Sequence, residues 1–171
     1  MTELETAIAG NHAAVDEFVA AARALDGRQW TTPREPGKWT PAQIAEHLAI
    51  TYEYSRAIVV GTPPGRGAPW FLKPVIRRFV VDSTLKAGRF TRKGRTPKMF
   101  EPSAAPPASA EGLTRLQTAV TGFESAIRSG HPEGRHTVNH PFFGTLPTVD
   151  YLRLQAIHTR HHRAQLPGSS M

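Results

Sequence analysis

The stretch Val149-Asp-Tyr-Leu-Arg-Leu-Gln-Ala-Ile-His158-Thr-Arg-His161-His162-Arg-Ala-Gln165-Leu166 decides how the chain is read. Its spacing predicts a helix with Tyr151, Leu154 and Leu166 on one face. His158 and His162, four residues apart, lie on that face one turn from each other. Two imidazoles aimed at one point are two-thirds of a metal site. His161 is rotated by about 100° from His162 and is expected at the rim or behind the ligands. No carboxylate stands between the two histidines, so this is not the glutamate-containing metalloprotease helix.

A third ligand must come from another helix. Thr40 is placed as an N-cap, Pro41 as the first helical residue and Gln43 three after the cap, with Trp39 and Ile44 positioned as a hydrophobic staple. The helix that follows carries Ile44, His47, Thr51, Tyr54 and Ile58 on one stripe and stops by Gly61-Thr-Pro-Pro. That stripe puts His47 on the buried face, with Thr51 and Tyr54 one and two turns beyond it.

Two more helices are predicted. The first opens on a capping box, Thr2-Glu-Leu-Glu5, runs through Leu4, Ile8, Val15, Phe18 or Val19, Ala22 and Leu25, and is stopped by Asp26-Gly27. His12 falls on its stripe and is expected as a hydrogen-bonded core histidine. Residues Gln29 to Lys38 are expected to be a loop. The other helix is capped by Ser109, with Leu113, Leu116, Val120, Phe123 and Ile127 as its stripe and Ser129-Gly130 at its end.

Residues Gly61 to Pro107, between the second and third long helices, are the least regular section, with a basic, partly helical insert from Trp70 to Lys98. A turn-rich linker to Pro69 leads into Trp70-Phe-Leu-Lys-Pro-Val-Ile-Arg-Arg-Phe-Val-Val, a short basic amphipathic helix with Pro74 near its first turn. Arg77, Arg78, Lys86, Arg89, Arg92, Lys93, Arg95 and Lys98 concentrate positive charge here, and Pro97 to Pro107 is an extended crossing over the surface. A phosphate-rich partner or a membrane surface is one reading of the basic segment. A solvated face over its apolar side chains is preferred, because Pro and Gly interrupt the pattern and Asp82 intrudes. His131 to Thr148 reads as a loop holding His131, His136 and His140, with Thr148 capping the last helix. Histidines in loops mostly face solvent, but His140 stands close enough in sequence to reach the mouth of a site.

At 171 residues the chain is expected to be one domain, residues 1–171, with 39% hydrophobic content enough for a buried core. The absence of cysteine excludes disulfides, thiolate ligands, iron–sulfur clusters and a cysteine nucleophile, leaving nitrogen and oxygen to hold any metal. No long apolar run and no secretion-signal layout are present, so the cytoplasm is the expected location. A formal charge of +7 favours anionic partners, yet no zinc-finger, basic-zipper or RNA-binding signature supports nucleic acid as the target. A homodimer stays open.

Packed as an all-α four-helix bundle, the second and fourth helices bring His47, His158 and His162 to one point. Three imidazoles on one side of an ion leave positions for water or substrate, as in a catalytic rather than a closed structural site.

Trp39-Thr-Pro-Ala-Gln-Ile-Ala-Glu-His47-Leu, His140-Pro-Phe-Phe-Gly and His158-x-x-His161-His162-x-x-Gln165-Leu together resemble the DinB/YfiT-like superfamily, and within it a DUF1569-type branch. The resemblance covers most of the chain. It implies an up-down-down-up bundle in which His47, His158 and His162 hold a divalent metal, commonly zinc or nickel. Superfamily members include transferases and isomerases that use bacillithiol, mycothiol or glutathione. With no cysteine of its own, this chain would need an external low-molecular-weight thiol for such chemistry on a small-molecule substrate. Thr51, Tyr54 and His140 are then expected to orient substrate or relay a proton, and arginines near the site to hold a carboxylate. A metal-dependent hydrolase and a non-catalytic binding module for an acidic partner or nucleic acid are the alternatives.

Overall fold

The computed structural model of the chain describes residues 1–92, 94–130 and 137–168. Helix α1 (Glu3–Arg23) starts where expected, with the Thr2 hydroxyl accepting from the Glu5 N–H at 3.2 Å. It buries Ile8, Asn11, Val15, Phe18, Val19 and Ala22. The buried polar residue is Asn11 rather than His12, whose side chain is 54% exposed; the expected stripe is displaced by one position there. Asp26 ends nothing passively. With Gln29 it forms a complete capping box that starts α2 (Gly27–Thr31), which overlaps the start of the expected loop and buries Trp30.

Helix α3 (Pro41–Val59) has the predicted cap: Gln43 N–H donates to Thr40 Oγ1 at 3.2 Å and the Gln43 side chain accepts from Thr40 N–H at 3.0 Å. Its whole predicted stripe is buried, as are Ala45, Leu48, Ala49 and Tyr52. The insert folds into α4 (Lys73–Ile76), a π-helical segment (Arg77–Asp82) and α5 (Ser83–Ala87), then a 3₁₀ turn (Lys98–Phe100). Helix α6 (Ser109–Gly130) buries Leu113, Leu116, Val120, Phe123 and Ile127 as predicted. Strands β1 (Thr137–His140) and β2 (Gly144–Pro147) pair antiparallel, so part of the expected loop is a hairpin. Helix α7 (Thr148–Arg163) follows at once. Because β2 pairs through Pro147, Thr148 is already helical, and its buried hydroxyl has no hydrogen-bond partner among the described residues; it is not a side-chain cap.

Cross-helix pairs give the directions. Glu3 meets Arg153 and Glu17 meets Arg160, so α1 and α7 run parallel. Arg56 lies against Gly122 and Val59 against Gly130, while Arg115 reaches Glu46 and Glu53, so α3 and α6 run parallel. Glu5 meets Arg128 and Arg23 meets Gln117, making α1 and α6 antiparallel. The order is up, down, down, up. Parallel α3 and α6 oblige the chain to travel back along a helix of about 28 Å, which is why a long connection separates them. Its end is anchored at the start of α3, where Ser103 donates from both N–H and Oγ to the Glu46 carboxylate at 2.8 Å.

One buried polar chain links all four long helices, beside a second buried group in which Tyr151 and Gln155 donate to the Ser55 hydroxyl. The Tyr52 hydroxyl donates to Asn11 Oδ1 at 2.8 Å and lies 2.9 Å from Thr159 Oγ1, while Asn11 Nδ2 donates to Glu124 at 2.9 Å. Each such bond contributes about 1 kcal/mol net, but a lost partner leaves a buried polar group unpaired. The chain therefore fixes the helix register as well as adding stability.

Candidate metal centre

The site lies where the N-terminal half of α3, the C-terminal turns of α7 and the returning crossover meet. His158 and His162 project from one face of α7 as their spacing requires, and antiparallel α3 brings His47 opposite. The Nε2 atom of His158 is 3.2 Å from that of His47 and 3.0 Å from that of His162, and all three ligand atoms lie within 4.8 Å of one another. Imidazoles around a tetrahedral ion, at about 2.05 Å each, would place neighbouring nitrogens about 3.3 Å apart.

The remaining ring nitrogens are committed. His47 Nδ1–H donates to the Phe100 carbonyl at 2.7 Å, and His162 Nδ1–H donates to Gln165 Oε1 at 2.9 Å. Both rings therefore turn a lone pair, not a proton, toward His158. One proton on His158 Nε2 satisfies only one of its two contacts, so the donor set suits a cation at the centre. Burial holds His47 and His158 below the usual histidine range and lowers His162 to about 3, which keeps the rings neutral and able to ligate. The neighbouring imidazoles disfavour charge on His158 and His162 further.

Aromatic side chains enclose the cluster. Trp39 lies 4.8 Å from the His47 ring and 6.2 Å from His162, so the residue read as a staple also walls the site. Phe90 packs edge-on to His158 and His161 at 5.9 and 5.3 Å. His161 is where its rotation put it, behind the ligands: Gln165 Nε2–H donates to His161 Nε2 at 3.0 Å. Phe90 and Phe100 carry no sequence signal for this role, because the crossover that delivers them has no periodicity tying it to the site.

The other predicted residues are elsewhere. Among the described residues, no hydrogen bond or ring contact joins Thr51, Tyr54 or His140 to the three histidines. The Thr51 hydroxyl donates back to the Leu48 carbonyl at 2.8 Å. Tyr54 packs on Phe100 and His140, and its buried hydroxyl has no hydrogen-bond partner among the described residues; burial raises its pKa. His140 is buried, contrary to the expectation for a loop histidine, with Nδ1 accepting from the Phe142 and Phe143 N–H groups. Burial, aided by nearby Lys73, lowers its pKa to about 3. His131 and His136 lie outside the described residues.

The sequence profile of the DinB superfamily matches residues 11–166. The chain belongs to the DinB superfamily. Two solved structures share the DinB fold found here. TT2238, described as a four-helix bundle protein, is 23% identical, with a TM-score of 0.58 over 97% of this chain and 99% of that one. YfiT from Bacillus subtilis, described as a probable metal-dependent hydrolase with an unusual four-helix bundle topology, is 15% identical, with a TM-score of 0.57 over 95% of this chain and 83% of that one. No curated protein matches the chain.

Proposed function

We propose that this DinB-superfamily chain works as a single-domain, metal-dependent enzyme on a small-molecule substrate in the cytoplasm. His47, His158 and His162 hold one divalent cation, zinc or nickel, through Nε2. The observation that carries the reading is the convergence of three neutral imidazole nitrogens, two of them oriented from behind by Phe100 and Gln165. A bound divalent cation there supplies Lewis-acid activation of a water or a thiol. The Phe100 carbonyl and Gln165 amide hold the rings in register, and Trp39 and Phe90 limit water around them. Tyr54 and His140, which meet beside the Phe100 ring, are proposed to orient the substrate.

Water as nucleophile makes the chain a hydrolase, a reading supported by the description of YfiT. An external low-molecular-weight thiol makes it an S-transferase or isomerase; the chain has no cysteine to serve instead. Elemental analysis of untagged protein tests the site: about one divalent ion per chain is expected in the wild type, and little in His47→Ala or His158→Ala. Equal metal in all three would sink the assignment. Ester and amide turnover without thiol, against thiol-dependent loss of electrophiles, separates the two chemistries.

A further inference from the structure

The insert departs from its preferred sequence reading. Several of its large apolar residues are not covered but exposed to solvent. Trp70 is 80% exposed, Phe71 60% and Phe79 50%, and Leu72 and Val75 are exposed beside them. Phe71 in the turn before α4, Val75 in α4 and Phe79 in the π-helical segment recur every four residues and are all exposed, while Val81 and Thr84 are buried. Isolated exposed apolar residues are ordinary, but a contiguous group on one helix face marks a contact surface.

The face is held in place. The Ala68 N–H donates to the Pro141 carbonyl at 3.1 Å, and a Cβ on Gly67 would collide with that carbonyl. Arg77 donates to the Thr145 carbonyl at 2.7 Å and pairs with Asp82. Gly88, at φ 64°, closes α5. The outward direction of the apolar row is thus fixed by the hairpin beneath it.

Charge selects the occupant. Between Arg66 and Lys98 there are ten Lys and Arg residues and one acidic residue, Asp82, which Arg77 already engages. The whole chain has twenty-one against fourteen, so everything outside that stretch carries eleven cations and thirteen acids. Among the described residues, no carboxylate pairs with Arg78, Lys86, Arg89 or Arg92, and the Arg92 guanidinium sits 4.9 Å over the Phe79 ring. Exposed cationic side chains in the same stretch as the exposed Trp, Phe, Leu and Val residues, with Arg92 directly on Phe79, fit a surface that is apolar beneath and anionic above. A second copy of the same face would oppose cation with cation. A nucleic acid would use the charges and stack on the rings, but offers Leu72 and Val75 nothing.

We propose that the face formed by Trp70, Phe71, Leu72, Val75 and Phe79, with the cations around it, docks on an anionic lipid bilayer. The aromatic and aliphatic side chains enter the headgroup boundary, and Arg78, Arg92 and Lys86 meet lipid phosphates and carboxylates. The association is peripheral: no described helix is long and apolar enough to cross a membrane.

Co-sedimentation of the full chain with phosphatidylcholine vesicles, with and without phosphatidylserine, tests this. Pelleting with the mixed vesicles and a blue shift of Trp70 fluorescence are expected, with little of either on phosphatidylcholine alone. Trp70→Phe should remove the shift and keep the pelleting. Phe71→Ser/Val75→Ser/Phe79→Ser should weaken binding at least about tenfold, and Arg78→Gln about fivefold. Unchanged circular dichroism and metal content show that these variants keep the bundle. No pelleting, equal pelleting on both vesicles, or full binding by the triple variant would overturn the proposal. So would a dimer in sedimentation equilibrium that the triple variant dissolves, or duplex DNA competing the chain off vesicles without loss from the triple variant.

Discussion

A lone histidine on α1 and the three-histidine group between α3 and α7 differ in exposure and in what they face. His12, on α1, lies half-exposed between carboxylates, 3.2 Å from Glu124 and 3.6 Å from Asp16. Among the described residues no carboxylate contacts His47, His158 or His162, which crowd together inside a wall of aromatic rings. Where a carboxylate is present, the imidazole has an anion to donate to and serves as a link between helices. Where none is present, the neutral ring's lone pair is free, and a cation is what completes the group. A histidine's role is set by what faces its second nitrogen.

Several measurements would break or sharpen that contrast. Largest is the response to metal. With zinc or nickel at a hundred to a thousand times its Kd, wild type and His12→Ala should each gain about 3 to 4 kcal/mol in urea unfolding, and His158→Ala none. A gain in His158→Ala equal to that of wild type would erase the distinction between His12 and the three-histidine group. Next comes Glu124→Ala, which strands the Asn11 amide in the core and removes the His12 partner; a loss of about 2 to 3 kcal/mol is expected in the same assay. Gln165→Leu leaves His162 free to turn and should weaken metal affinity about ten- to a hundredfold, or about 1.4 to 2.7 kcal/mol by calorimetry.

A fourth effect concerns pH. The folded pKa of His140, about 3, lies below its unfolded value of about 6.5. Its surroundings are the Lys73 ammonium, which adds to the shift, and the rings of Tyr54, Tyr151, Phe142 and Phe143. As pH falls the unfolded chain takes up this proton first, so the stability is complete above about pH 6.5 and is lost down to about pH 3. The urea-midpoint gap between wild type and His140→Gln should therefore shrink on acidification; a gap constant across that window would refute the buried neutral ring. Smallest is His12→Ala alone without metal, a half-exposed pair whose loss should cost under about 1 kcal/mol.

The parts of the site legible in sequence were those on regular helices. Thr40, Pro41 and Gln43 announced the start of α3, and a period near 3.6 placed His47 inward and separated His162 from His161. The misreadings fall where periodicity is ambiguous or missing. Asn11 and His12 are adjacent, and a one-position error exchanged a buried residue for an exposed one. Asp26 ended one helix by capping another. The hairpin from Thr137 to Pro147 is too short to alternate convincingly, and it is what buried His140. In the insert, amphipathicity revealed a helix but not which side faced out.

The sequence alone determined four amphipathic helices, the capped entry of α3, the inward face of His47 and the shared face of His158 and His162, because these depend on spacing within one helix; bringing His47 to the pair took the packing of α3 against α7. Only the tertiary structure decided what orients and encloses them: the Phe100 carbonyl on His47, Phe90 against His158, and Trp39 against His47. It alone also turned the apolar row of the insert outward, through the hairpin that holds its base. Apart from Trp39 and His47, which are near in sequence, these contacts join residues more than fifty positions apart, and no local pattern encodes which distant backbone will arrive beside a given ring.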